Sequence, residues 1–248
     1  MAHQSSHLVN YERIAARYHE GRSLPDDVLR RWREAVTPHL PSEPITVADL
    51  GAGTGIFAEA WRHWTDARVV AIEPSGAMAR SARMASQIAF VQGVAEAIPI
   101  RSATVDLVWV STALHHFWDM DLALDECRRV LRPGGRILVR TYAPDRSELT
   151  WANVFPGRSK WQKRFPTSKE LEVRFAARGF LLTAISEVLE RSEPFAESAS
   201  WVSRMRNADS VLTALRDEEV EQGLARLHAT PERIGRTELT LCVFRVGR

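Results

Sequence analysis

The chain has 248 residues, of which 45% are hydrophobic and 26% charged, and carries a formal net charge of +2. Its length suits one α/β domain with additions, and its near-balanced charge excludes a whole-molecule field drawing it toward nucleic acid or membrane. Two distant cysteines, Cys127 and Cys242, exclude a disulfide framework and a cysteine zinc cluster. No apolar run approaches the ~18 residues of a membrane span, and the first residues lack the apolar core of a signal peptide, so a cytoplasmic location is expected.

The first strand-free segment, residues 8–40, has helical spacing only. From Ile45 the pattern changes: ITVADL reads as a buried strand, IFAEAWRHW as a helix, ARVVAIEPS as a second strand and GAMARSARMAS as a second helix. IAFVQG and ATVDLVWVS follow as strands three and four, ALDECRRVL as a helix, RPGG as a turn and RILVRTY as a fifth strand. Apolar strands alternating with amphipathic helices predict a parallel sheet covered on both faces. After Tyr142 comes a polar, Trp- and Pro-containing stretch, 143–166, too long for a plain connection. A helix at SKELEVRFAARG, a strand at FLLTAISEVLE, helices through much of 195–228 and a last strand at ELTLCVFRV complete the chain.

DLGAGTGIF puts three glycines at alternate positions between a strand and a helix. Small residues let a ligand approach the backbone, and the helix N-terminus offers free N–H groups; a tight turn with no ligand is the plain alternative. A phosphate loop needs Lys-Ser/Thr after the last glycine, and a dinucleotide fingerprint needs glycine or alanine where Ile56 stands. Glu73, 22 positions after Gly51, ends the second strand, the distance at which a carboxylate meets a ribose.

VADLGAGTGIFAEAW, VVAIEPSGAM, GVAEAIP, DLVWVSTALHHFWD and VLRPGGRILVRTY together resemble a class I S-adenosylmethionine-dependent methyltransferase of the small-molecule branch, over roughly residues 8–142. The resemblance implies a Rossmann-like α/β fold with a seven-stranded, mainly parallel sheet in the order 3-2-1-4-5-7-6, its last strand antiparallel. It divides the chain into an N-terminal helical lid (1–40) and a methyltransferase domain (41–248), comprising a cofactor core (41–142), a substrate cap (143–235) and a closing strand (236–248). Gly51, Ala52, Gly53 and Gly55 would turn around the cofactor's methionine part and Asp49 would face its ammonium. Glu73 would hold the ribose, Pro74 and Met78 would flank sugar and adenine, and Ala95 and Glu96 would read the adenine edge. Val94 replaces an Asp common at that edge. Ser111 joins the cofactor set, and Tyr11, Tyr18 and Arg22 would close as a lid.

The loop after the fourth strand, STALHHFWD, supplies His116 and His115 as candidate base or orienting groups, although either can simply brace the loop. Phe117, Trp118, Tyr142 and Trp151 are the expected substrate walls. No third ligand accompanies the histidines, so no metal is expected. The partner is then a small organic molecule methylated at O, N or C. An RNA methyltransferase using the basic and aromatic 151–180 stretch is the rival, with a non-catalytic cofactor-binding module third. A monomer and a homodimer are both compatible with the sequence.

Overall fold

The computed structural model describes residues 24–42, 44–85, 88–207, 209 and 211–247. Strands β1 (Thr46–Leu50), β2 (Arg68–Glu73), β3 (Ala89–Gln92), β4 (Val105–Ser111) and β5 (Leu131–Thr141) pair in parallel, in the order β3-β2-β1-β4-β5. The closing strand β8 (Ile234–Val246) runs antiparallel to β5 along Arg136–Thr141, to the two-residue β6 (Glu148–Leu149), and to β7 (Phe180–Pro194). Apart from β6 this is the expected order. Two residues carry no periodicity, which is why β6 leaves no mark in the sequence.

The strands bury both faces, and their alternation sorts residues between two cores. Val47, Leu107, Trp109, Leu138, Leu241 and Val243 point into one; Ala48, Leu50, Val108, Val110, Ile137, Val139, Cys242 and Phe244 point into the other. Helix α1 (Asp26–Val36) brings Val28, Trp32 and Val36, four apart on one stripe, onto the first core. Helix α2 (Ile56–Trp64) joins it there, with Trp61 5.5 Å and Trp32 6.2 Å from the Trp109 ring. Helix α3 (Gly76–Ala85) follows β2. Helix α4 (Met120–Val130) covers the second core and starts on Asp119, whose carboxylate accepts from the N–H groups of Asp121 and Leu122.

The RPGG turn lies within β5. Pairing jumps from Val105–Leu131 to Leu107–Arg136, so Arg132–Gly135 bulge from the ladder with Gly134 at φ +77°.

Residues 143–166 are folded, with their aromatic side chains buried and their charged ones largely exposed. They contain β6, a short 3₁₀ turn at Ala152–Val154 and α5 (Arg158–Gln162). Trp151, Phe155 and Trp161 sink into the same core as the first sheet face. Helix α6 (Ser168–Ala177) starts on a capping box of Thr167 and Glu170. Helices α7 (Phe195–Met205) and α8 (Asp217–Ala229) finish the cap. Gly223 of α8 makes room for Phe155: a Cβ there would lie 2.1 Å from the ring.

Candidate active site

β1 ends at Leu50 and the chain turns through Gly51, Gly53 and Gly55 at φ +74°, +57° and +82°. Only glycine takes this left-handed backbone without strain. The N–H groups of Gly51 and Ala52 donate to the carbonyl of Ile72 at 2.9 and 3.0 Å, tying the turn to β2. A Cβ on Gly51 would sit 2.7 Å from that of Ala113. Gly55 starts α2 without a side-chain cap, so N–H groups of the first turn remain for a ligand.

Two carboxylates stand behind this turn. Glu73 accepts from the N–H of Gly53 at 2.8 Å with Oε2 and from that of Ser75 at 2.9 Å with Oε1. Burial raises its pKa against those two bonds. Asp49 is 1% exposed, and its Oδ2 lacks a hydrogen-bond partner. Burial, then the nearby Glu73 charge, push its carboxyl up to about 8, against one opposing bond from Ala58.

From the glycine turn a cleft of about 170 Å³ opens beneath the cap, walled by Tyr142, Trp151, Phe165 and Trp201. Trp151 and Trp201 meet edge to face at 5.0 Å, and Tyr142 and Phe165 at 5.4 Å. Gln162 donates to the Tyr142 hydroxyl at 2.8 Å, while burial raises the pKa of that hydroxyl. A polar row crosses the cleft. Arg140 donates through NH1 to Ser111 Oγ at 2.9 Å and through Nε to Glu190 Oε1 at 2.8 Å. Trp32 Nε1 donates to the same Glu190 oxygen at 2.8 Å. The Arg140 guanidinium also lies 5.2 Å from the Trp32 and Phe57 ring centres.

Of the expected site residues, Asp49, Gly51, Ala52, Gly53, Ser111, His115, Tyr142 and Trp151 line this cleft. Gly55 caps the adjoining helix, Glu73 reaches the turn through Gly53, and Met78 Cε lies 3.6 Å from where a Gly53 Cβ would stand. Pro74 is exposed beside them, and Ala95 is buried in the second core. Glu96 accepts from the N–H of Asp119 at 3.2 Å, bracing the start of α4. Tyr11, Tyr18 and Arg22 lie outside the described residues.

Three more of the expected residues, His116, Phe117 and Trp118, are not on the cleft wall. Leu114–His116 is a 3₁₀ turn, in which successive side chains point about a third of a turn apart. His115 therefore faces the cleft and packs 4.6 Å from Phe165, whereas His116 stacks on His115 at 4.0 Å and is not among the lining residues. Phe117 and Trp118 line a second depression with Lys163 and Arg174, which shares His115 and Phe165 with the cleft and where Trp118 is 71% exposed. Conversely, Arg140, Glu190, Arg191, Trp201 and Asp209 line the cleft without having been singled out. Arg140 did leave a signal: it follows the apolar run Ile137–Val139, where burial of a charge requires a partner, whereas Glu190 stands among Glu187, Arg191 and Glu193 and is not marked out.

Among the described residues no cluster of three or more His, Cys, Asp or Glu could hold a metal, and no helix is long and apolar enough to cross a membrane.

A methyltransferase-domain profile matches residues 48–139. The malonyl-[acyl-carrier protein] O-methyltransferase of Herminiimonas arsenicoxydans is 32% identical over 233 residues, 93% of this chain and 82% of that protein. The ubiquinone/menaquinone biosynthesis C-methyltransferase of Acidiphilium cryptum is 33% identical over 160 residues, 61% of this chain and 63% of that protein. An Anabaena variabilis structure, from a protein proposed to be a methyltransferase of antibiotic biosynthesis, superposes with a TM-score of 0.70 at 21% identity, covering 89% of this chain and 97% of that one. The strand order, the glycine turn and these relatives agree: the chain belongs to the class I S-adenosylmethionine-dependent methyltransferases and is an enzyme that takes S-adenosylmethionine as its cofactor.

Proposed function

We propose that the glycine turn, Asp49 and Glu73 hold S-adenosylmethionine, and that the aromatic cleft receives a small, largely apolar organic acceptor whose O, N or C atom takes the methyl group. The residues fit the cofactor. Asp49 Oδ2 is a buried acceptor lacking a donor beside the turn, suited to the ammonium of the methionine part. Each Glu73 oxygen already accepts one backbone N–H and keeps a second lone pair, so both remain available to ribose hydroxyls. Gly53 leaves room at the turn, with Met78 Cε 3.6 Å from where a Cβ would stand, and Gly51 lets Ala113 pack against the turn.

Bound S-adenosylmethionine supplies a methyl group already activated by the sulfonium. The protein has to aim an acceptor at it and keep water out; orientation of this kind contributes up to ~7–11 kcal/mol in the best cases. Tyr142, Trp151, Phe165 and Trp201 wall the cleft with ring surface. His115, at the carboxyl end of β4, is the histidine set to orient the acceptor or take its proton.

The observation that carries this reading is the burial of the cap's aromatics. Trp151, Phe155, Trp161 and Phe165 are 5%, 2%, 0% and 7% exposed. They pack inward around a cleft and present no open stacking platform, which single-stranded RNA requires. The test is formation of S-adenosylhomocysteine by the whole protein with a panel of small hydroxy-, amino- and dicarbonyl compounds, set beside total RNA. Turnover on small compounds with none on RNA is expected; methylation of RNA alone would overturn the reading.

A further inference from the structure

Glu190 is the one carboxylate among the described residues that both lines the acceptor cleft and pairs with a buried arginine. It is 7% exposed, as is Arg140. Three donors converge on a single oxygen: Trp32 Nε1 at 2.8 Å, Arg140 Nε at 2.8 Å and Arg140 NH2 all reach Oε1. Among the described residues no donor reaches Oε2, although Glu190 lines the cleft. The arginine is held as firmly as the carboxylate, because its remaining terminal nitrogen donates to Ser111 Oγ at 2.9 Å. Ser111 ends β4, and two residues on, Ala113 touches the position of a Gly51 Cβ. The row Trp32–Glu190–Arg140–Ser111 therefore leads from the cleft wall to the edge of the glycine turn.

Such an arrangement has a definite preference. Arg140 places three of its five N–H groups on Glu190 and Ser111, so a carboxylate entering the cleft meets an ion pair already formed and not an unmatched cation. A carboxylate oxygen of a buried side chain that no donor reaches is costly until one arrives. Asp49 and Asp209 add two more acids to the lining, against Arg191, whose guanidinium lies 4.6 Å from the Trp201 ring centre.

We infer that Glu190, through Oε2, is the acceptor-recognition residue of this enzyme: it takes a hydrogen bond from an O–H or N–H of the methyl acceptor, and so selects neutral acceptors bearing a protic donor over those presenting a carboxylate. The inference rests on the proposed small-acceptor cleft and adds its chemistry. On transfer to such a group, a lone pair of the acceptor's oxygen or nitrogen would form the bond to the methyl carbon, the carbon–sulfur pair would return to sulfur, and the acceptor's proton would pass to His115 on the cleft wall or to solvent. Glu190 fixes the direction from which that atom's hydrogen points; no proton transfer to it is required.

Four probes of one shape separate the possibilities: 4-methylphenol, 4-methylaniline, 4-methylanisole and 4-methylbenzoate. Their binding to the full-length protein loaded with S-adenosylhomocysteine is read by ligand-observed NMR at pH 7.5. The phenol and the aniline are expected to bind at least fivefold more tightly than the anisole, and the benzoate most weakly. Glu190→Gln should lower the phenol's affinity by about fivefold or more and raise the benzoate's, with the affinity for S-adenosylhomocysteine unchanged. Benzoate binding the wild type as tightly as the phenol would overturn the inference, as would equal binding of phenol and anisole; in either case the cleft still takes small aromatics. A wild-type cleft that takes none of the four overturns the small-acceptor reading and this inference with it. The wild-type comparison stands even if Glu190→Gln fails to fold.

Discussion

Both halves of this molecule bury aromatic side chains, but for different ends. In the half built from β1 to β5, side chains are withheld at the functional point: Gly53 keeps a space open, Gly51 lets Ala113 pack against the turn, and two acids wait behind it. In the segment expected to form the cap, residues 143–235, side chains are crowded instead, and the proposed acceptor site is what the crowding leaves between Tyr142, Trp151, Phe165 and Trp201. A space kept by glycine is written into the sequence as a motif. A space left between packed rings is a property of the assembled fold.

The contrast predicts that damage to each half shows up in a different measurement. The largest effect is on stability. Trp161 is fully buried against Tyr142 and Phe165, and Trp161→Ala should cost about 3–5 kcal/mol by leaving a cavity. Thermal melting should fall by roughly 2–4 °C per kcal/mol for a chain of this size, with cofactor affinity at low temperature within about twofold of wild type. Loss of cofactor binding in well-folded Trp161→Ala would break the division between the halves.

Next is the cofactor side. Glu73→Ala removes a bidentate acceptor and should lower S-adenosylhomocysteine affinity by about 1.5–3 kcal/mol, measured by calorimetry, while the aromatic cleft stays intact. Gly223→Ala tests crowding from the other direction: its Cβ meets the Phe155 ring, and overpacking should cost about 1–3 kcal/mol of stability without changing cofactor affinity.

The histidine pair sharpens the boundary between the halves. His115→Ala should lower turnover by ~10–10³-fold, with cofactor affinity within a few fold. His116→Ala should change turnover by less than about threefold, since His116 is not on the cleft. Steady-state kinetics on any acceptor that turns over decides between them, and a reversed order would return the role to His116.

These results bear on what the sequence discloses. The strand–helix alternation from Ile45 to Tyr142 is readable because the buried strands are mainly apolar runs and glycine marks several of the connections, at Gly51–Gly55, Gly76, Gly93 and Gly134. The choice between His115 and His116 is unreadable, because it depends on a 3₁₀ turn only three residues long. Phe117 and Trp118 follow the same turn onto a different surface. Glu190 and Arg140 lie 50 residues apart and meet only because β7 and β5 flank β8 on opposite sides. Trp151 and Phe165 read as members of a basic, aromatic surface, since alternating Lys/Arg and rings look alike whether the rings point inward or outward.

Asp49 gives the smallest stability signal per pH unit and the sharpest test. Its ordinary value of 3.8 rises to about 8 in the fold, so the folded state binds the extra proton between those limits. For the free protein, this group's contribution is fully favourable below its unfolded pKa and is lost as pH rises toward about 8, at most ~1.4 kcal/mol per pH unit. A bound ammonium favours the ionised carboxylate and should flatten that slope. The most direct test is calorimetry of S-adenosylmethionine binding at pH 7 in two buffers of different ionisation enthalpy, on wild type and Asp49→Asn. Binding accompanied by release of close to one proton, with the release absent in Asp49→Asn, is the predicted result. No measurable binding by the folded wild type would contradict the cofactor site, and binding with identical proton release in both proteins would contradict the role of Asp49 within it.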